Sequence, residues 1–195
     1  MNVELYKKLL KEGNLAQHPA EWFMFLRLCD IYLEEHKIKS PIVVELGVLF
    51  NSQKKFYEQL FNAEHIGIDI SNKRSKPDIL GDTRTSQTMQ ELHKRLYGRK
   101  IDVLYIDASH SYEAVKDDFE RYSPLCNGII ALNDIETGRY SGKRQFRVWK
   151  FWDELRDKSF IQTGEYAHFL FLTIHQCRFK KKRDSRLGTG VIIKR

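Results

Sequence analysis

Ile42-Val43-Val44-Glu45-Leu46-Gly47 is a short apolar run that ends in glycine, and Ile66-Gly67-Ile68-Asp69-Ile70 is a second one. Runs of this length, bounded by turn signals and rich in branched residues, read as strands buried on both faces. Between them, Phe56 and Leu60 follow helical spacing, and Ser52 is placed to cap that helix. The alternation continues outward. Ile79-Leu80-Gly81-Asp82 predicts a third strand, Ile101 to Asp107 a fourth and Gly128 to Asn133 a fifth. The intervening helices carry Met89, Leu92 and Leu96, with Thr85 or Ser86 as cap, and then Tyr112, Val115, Phe119 and Tyr122, stopped by Pro124. Val148, Phe151, Trp152 and Leu155 predict one more helix. Repeated strand and helix imply an α/β fold: a mostly parallel sheet with helices on both faces. Tyr166 to Thr173 and Gly190 to Ile193 then read as strands with no helix signal between them, so they are expected to pair antiparallel. Ahead of the core, residues 1–40 read as a helical cap in which Pro19 opens a helix running to about His36. The expectation is one domain over 1–195, with its core in 41–195.

The predicted strands end on a row of polar residues: Glu45 with Gly47, then Asp69, Asp82, Asp107 and Asn133-Asp134. In open parallel sheets, ligands bind outside the carboxyl ends of the strands. Gly47 lets the chain turn tightly and approach a ligand. Asp69 follows it by 22 positions, a spacing at which an acid binds ribose hydroxyls. Asp82 is placed to accept from an adenine amino group. No glycine follows Gly47 before Gly67, and no phosphate-binding G-x-x-x-x-G-K-[ST] loop occurs. These absences weigh against dinucleotides and nucleoside triphosphates. A nucleoside sulfonium needs no phosphate cradle and tolerates an acidic rim.

Val44-Glu45-Leu46-Gly47, Ile66-Gly67-Ile68-Asp69-Ile70, Gly81-Asp82, Asp107-Ala108-Ser109-His110-Ser111-Tyr112, Asn133-Asp134 and Gly188-Thr189-Gly190-Val191-Ile192 resemble, in order and spacing, the class I methyltransferases. The likeness is to the group of small-molecule and sugar O-methyltransferases and cephalosporin hydroxylase-like proteins, over about residues 18 to 195. It implies a Rossmann-like fold and S-adenosylmethionine held by Glu45, Gly47, Asn51, Ser52, Asp69, Asp82 and Asp107. The family usually has a second glycine where this chain has Asn51, and Asn is the residue next most able to adopt positive φ.

Asp107, Asn133 and Asp134 end adjacent predicted strands, so they form a hard-oxygen set suited to Mg²⁺ or another divalent cation. Such an ion would orient an acceptor hydroxyl and acidify it. His110 is the alternative base, in the turn before a helix. Asp107 and His110 are therefore the expected catalytic residues. Asp117 and Asp118 lie between inward positions, so at least one should face water.

The net charge is +7, with Arg178, Lys180, Lys181, Lys182, Arg183 and Arg186 in one segment read as an exposed loop. This charge supports an alternative function, a nucleic-acid methyltransferase or RNA-binding protein. Against it, Asp107-Ala108-Ser109-His110 holds no proline where amino methyltransferases of nucleic acids carry [Asn/Asp]-Pro-Pro-aromatic, and no Pro-Cys occurs for cytosine C5 chemistry. A non-catalytic cofactor-binding protein is the third reading. The expected partner is a small-molecule or glycan acceptor, and the sequence is compatible with a homo-oligomer. Its three cysteines form no C-x-x-C pair, and it shows no membrane span and no secretory signal, so a cytoplasmic location is expected.

Overall fold

The structure is a computed structural model. It describes residues 1–13, 15–139, 145–160, 169–174 and 188–194, with backbone alone at 158–160 and 169. The predicted basic loop, Arg178 to Arg186, lies outside the described residues, as do Lys158's side chain, Cys177 and residues 166–168 of the predicted strand.

The strands are β1 (Ile42–Leu46), β2 (Glu64–Asp69), β3 (Ile79–Leu80), β4 (Ile101–Ile106), β5 (Cys126–Leu132), β6 (Phe169–Ile174) and β7 (Thr189–Lys194). They form one sheet in the order β3-β2-β1-β4-β5-β7-β6. The first five pair in parallel, and β7 enters antiparallel between β5 and β6. The expected antiparallel pair is present, and β7 is the strand that runs against the others. Strand order reverses between β1 and β4, which places a ligand site at their carboxyl ends.

Six helices cover the sheet: α1 (Val3–Lys11), α2 (Pro19–Glu35), α3 (Lys54–Phe61), α4 (Ser86–Leu96), α5 (Tyr112–Tyr122) and α6 (Val148–Phe160). Alternate strand residues divide between two cores. Val44, Leu46, Leu104, Ile106, Ile130 and Ile192 join Leu92, Phe119 and Trp152 on one face. Val43, Val103, Tyr105, Ala131 and Val191 join Leu9, Trp22, Phe25 and Phe56 on the other. The N-terminal helices are thus part of the second core. Leu26, Phe25 and Cys29 are fully buried, and each side chain of this size contributes roughly 1.5–3 kcal/mol by leaving water. No helix among the described residues is long and apolar enough to cross a membrane.

The caps were partly legible. Thr85 accepts from Thr88 N at 3.3 Å and opens α4, and Ser111 accepts from Ala114 N at 3.2 Å and opens α5. Ser52 does not cap α3: that helix begins at Lys54, and the Ser52 hydroxyl donates to Gln53 Oε1 at 3.0 Å. The intervening loop explains the delay. Gly47, Leu49 and Asn51 have φ of 84°, 47° and 53°, so three alternate residues take left-handed conformations before a helix can start.

Candidate functional site

The β1–α3 loop, the ends of β2 and β3, and the β4–α5 loop enclose a cleft of ≈480 Å³, counted out to its open mouth. Gly47, Asp69, Ile70, Asp82, Thr83, Arg84, Ala108 and Ser109 are among its walls. A Cβ on Gly47 would stand 2.4 Å from Asp107 O and 2.6 Å from Ala108 Cα, so only glycine lets the two loops meet this closely.

Asp69 holds the first loop. Its Oδ2 accepts from Val48 N at 3.1 Å and Leu49 N at 3.0 Å, and Oδ1 accepts from Ser71 N at 2.9 Å. Oδ2 thus accepts twice, and Oδ1 keeps one lone pair for a ligand hydroxyl. Ile70 beside it is 70% exposed, an apolar surface turned to the cleft. Asp82 is chelated by Arg84, with Nη2 to Oδ2 at 2.8 Å and Nε to Oδ1 at 3.0 Å. The Arg84 bonds hold the Asp82 carboxyl down at about 2. Asn51 has the positive φ expected of a glycine substitute, and its Nδ2 donates to Lys76 O at 3.3 Å. Neither Asn51 nor Ser52 is among the cleft's walls.

Glu45 is placed differently from its expected contact with a ligand. It is fully buried on the α2/α3 side, where Oε2 meets His65 Nε2 at 2.9 Å. Burial drives the Glu45 carboxyl up, partly countered by His65. Asp78, bonded to Gly67 N at 2.9 Å and Lys54 Nζ at 3.1 Å, lies 3.8 Å from His65 Nδ1. This polar set supports the strands beneath the cleft.

Beyond the cleft's β4 wall, Asp107, His110 and Asp134 bring one ligand atom each within 4.8 Å of one another. His110 Nδ1 lies 3.6 Å from Asp134 Oδ2, and its ring stacks on Phe146 at 4.9 Å. Asp134 has φ of 59°, an outlier for a residue other than glycine, and its Oδ1 accepts from Thr137 Oγ1 at 3.0 Å. Of the expected trio, Asp107 and Asp134 converge, with His110 beside them. Asn133 Nδ2 donates to Asp107 Oδ1 at 3.0 Å, while Asn133 Oδ1 accepts from the Tyr105 hydroxyl at 3.2 Å. Asn133 thus holds Asp107 through its amide nitrogen. The other Asp107 oxygen accepts from Gln17 Nε2 at 2.8 Å. Burial raises the Asp107 carboxyl well above the usual range, Asp134 adds to this, and the Asn133 and Gln17 bonds oppose it. Gln17, Thr83, Arg84 and Ser109 were missed in the sequence. Asp117 pairs with Arg121 at the surface, whereas Asp118 is 1% exposed.

Residues 57–135 match the family model described as a methyltransferase domain. The chain is similar in fold to MycE, a methyltransferase from the mycinamycin biosynthetic pathway solved with Mg and SAH. The two are 16% identical with a TM-score of 0.63, over 98% of this chain and 53% of MycE. It is also similar to an O-methyltransferase from Bacillus cereus in complex with SAH, at 10% identity and a TM-score of 0.60, over 97% of this chain and 90% of that one. A protein of Sinorhizobium fredii described as uncharacterised is 30% identical over 71 residues, which are 35% of this chain and 7% of that protein. The chain therefore spans about half of MycE and a small part of the Sinorhizobium protein. The chain has the Rossmann-like fold of these methyltransferases, and its residues 57–135 match the methyltransferase domain.

Proposed function

We propose that residues 1–195 form one O-methyltransferase domain, with residues 1–40 as its helical cap, acting on a hydroxyl of a small molecule or glycan beside a divalent cation. The observation that carries this reading is the convergence of Asp107, His110 and Asp134 next to the cleft wall formed by Ala108 and Ser109. The two carboxylates suit Mg²⁺ or Mn²⁺ and leave the imidazole beside them as a base, and two acids this close repel unless a cation or a proton intervenes. In the cleft, the remaining lone pair on Asp69 Oδ1 fits a ribose hydroxyl and Ile70 fits an adenine face.

S-adenosylmethionine supplies an electrophilic methyl group, and a cation supplies positive charge beside the acceptor oxygen. The protein's own contribution is placement and proton handling. Asp69 and Gly47 fix the nucleoside end, while Asp107 and Asp134 fix the acceptor end. His110 Nδ1, beside Asp134, is placed to take the acceptor's hydroxyl proton. The oxygen's electron pair then forms the O–C bond as the C–S bond breaks, leaving a neutral thioether. Mycinamycin VI bound to MycE is a small-molecule precedent for this acceptor class.

The test is transfer from methyl-labelled S-adenosylmethionine to a panel of catechols, phenols and sugars, with and without EDTA. Transfer is expected to stop in EDTA and to return with Mg²⁺, and Asp134→Ala should lose both transfer and the Mg²⁺ response. Full transfer in EDTA that disappears only in His110→Ala would replace the cation mechanism with base catalysis alone. Transfer to RNA and to nothing else in the panel would overturn the acceptor class.

A further inference from the structure

The Asp107 carboxylate is held at both oxygens by amides from two distant segments. Asn133 Nδ2, after β5, donates to Oδ1 at 3.0 Å, and Gln17 Nε2, between α1 and α2, donates to Oδ2 at 2.8 Å. Neither amide is loose. The Asn133 oxygen accepts from the Tyr105 hydroxyl at 3.2 Å. Gln17 is only 7% exposed although it lies in a connection, next to the exposed Ala16. A buried amide is costly unless it is bonded, and the bond that Gln17 makes is to a carboxylate. The connection itself is tied down on both sides. The Tyr6 hydroxyl of α1 donates to Pro19 O, and Lys55 Nζ of α3 donates to Leu9 O at 2.7 Å.

A carboxylate bonded at one oxygen can still turn about its Cβ–Cγ bond. With a donor at each oxygen, turning breaks one bond or the other, so the plane of Asp107 is fixed. Each oxygen accepts one of these bonds and keeps capacity for a cation. The second acid of the rim is also held, since Asp134 Oδ1 accepts from the hydroxyl of the buried Thr137 at 3.0 Å. Fixed carboxylates discriminate between hard cations. Mg²⁺ demands near-ideal octahedral geometry at ~2.0–2.1 Å and is bound through one or two carboxylates with water, whereas Ca²⁺ takes roughly six to eight oxygens at ~2.3–2.6 Å in adaptable geometry. Two carboxylates, one of them locked at both oxygens, offer few oxygens and little adaptability, which is the combination that suits the smaller ion.

We propose that Gln17 is a positioning residue of the acceptor site which, together with Asn133, fixes the Asp107 carboxylate and so makes the rim prefer Mg²⁺ over Ca²⁺. This rests on the reading of Asp107 and Asp134 as cation ligands. It gives the N-terminal cap a part in the site, because the connection between its two helices supplies the side chain that completes the support of the rim. Leu9 of α1 and Trp22 of α2, both packed in the second core, set the place of that connection.

The preference is tested by calorimetry on the full chain with SAH, titrated with Mg²⁺ alone and with Ca²⁺ alone. Wild type is expected to bind Mg²⁺ more tightly than Ca²⁺. Gln17→Met keeps the length of the side chain without its donor. It should weaken Mg²⁺ binding about tenfold, the loss usual when a group supporting a metal ligand is removed, and Ca²⁺ binding by no more than about twofold. Tyr105→Phe frees the Asn133 amide without touching Gln17 and should move the Mg²⁺/Ca²⁺ ratio the same way. Lys55→Met unties α1 from α3 and leaves Gln17 in place, so its ratio should equal that of wild type. A ratio unchanged in Gln17→Met, or in Tyr105→Phe where the first variant does not fold, overturns the role of Gln17; if Mg²⁺ still binds and is lost in Asp134→Ala, the cation reading stands. A shift in Lys55→Met as large as that in Gln17→Met also overturns it, since loosening of the cap would then be the cause, as does tighter binding of Ca²⁺ than of Mg²⁺ by wild type. A wild-type chain that binds neither ion overturns the cation reading itself, and the preference with it.

Discussion

Replacing Asp69 separates support of the loop from recognition of the nucleoside. In the unliganded chain, Asp69 accepts three backbone N–H bonds, two of them from Val48 and Leu49. Val48 is fully buried, so its N–H has no ready access to water after truncation. An unsatisfied buried donor costs about 1–3 kcal/mol, and hydrogen bonds to a charged group contribute about 1.5–3 kcal/mol each. The Leu49 and Ser71 N–H groups can turn to water, because Leu49 is 42% exposed and Ser71 is half-buried beyond the end of β2. Asp69→Ala is therefore expected to destabilise the fold by about 2–3 kcal/mol in urea unfolding. Asp69→Asn keeps one acceptor oxygen for the loop and should cost ~1 kcal/mol or less. Recognition follows a different order. A ribose hydroxyl needs the one acceptor position that the loop leaves on Oδ1, and an amide whose oxygen serves Val48 and Leu49 puts an NH₂ there instead. Asp69→Asn should weaken SAH binding about tenfold or more in calorimetry, equivalent to ~1.4 kcal/mol, despite a nearly intact fold. A stable Asp69→Asn variant that binds SAH like wild type would refute the assignment of this acid to the nucleoside.

Leu49 has φ of 47° and is 42% exposed, so Leu49→Gly gives up few contacts and relieves a left-handed conformation costing about 1–2 kcal/mol. Set against the greater freedom of glycine in the unfolded chain, a net gain of up to ~1 kcal/mol is expected; a loss of that size in urea unfolding would argue against strain at this position. Burial raises Glu21 to about 7 and Asp118 to about 6, so between roughly pH 4 and 7 the folded chain binds protons that the unfolded chain has released. Stability should accordingly fall as pH rises from 5 to 8, by roughly 2–3 kcal/mol through Glu21 and roughly 1–1.5 kcal/mol through Asp118, and unfolding midpoints of Glu21→Gln and Asp118→Asn should each flatten that fall; an increase over this range in the wild type would contradict both shifts.

The parallel half of the sheet was legible because each strand is an apolar run with a glycine or an acid at its end. Asp69 and Asp82 could be placed on the cleft from that pattern alone. What escaped the sequence depends on orientation or on distant partners. The way the Asn133 amide points is set by Tyr105 from the neighbouring strand. Gln17 reaches Asp107 across 90 positions, and Glu21 reaches Thr189 across 168. No local spacing encodes such contacts. Ser52 had the right residue type for a cap, but the left-handed turns at Leu49 and Asn51 shift the helix start beyond it.

Charge is handled differently at the two ends of the site, and this bears on what each end can bind. At the nucleoside end, Asp82 is neutralised by Arg84 and Asp69 is surrounded by backbone N–H donors. Arg84 holds Asp82 as an anion, and the backbone N–H groups orient Asp69 toward a ligand. At the rim, Asp107 is bonded by two neutral amides, and the acid Asp134 adds to burial in raising its carboxyl. Glu21 and Glu136 add acidity just behind. A phosphate brought to this rim would meet like charge, which disfavours the sugar–phosphate backbone of a nucleic acid at the point of transfer despite a net charge of +7. A sulfonium on one side and a divalent cation on the other would each meet opposite charge. On the proposed function, the acceptor between them would be a neutral or weakly acidic hydroxyl that loses its proton as its oxygen approaches the methyl carbon.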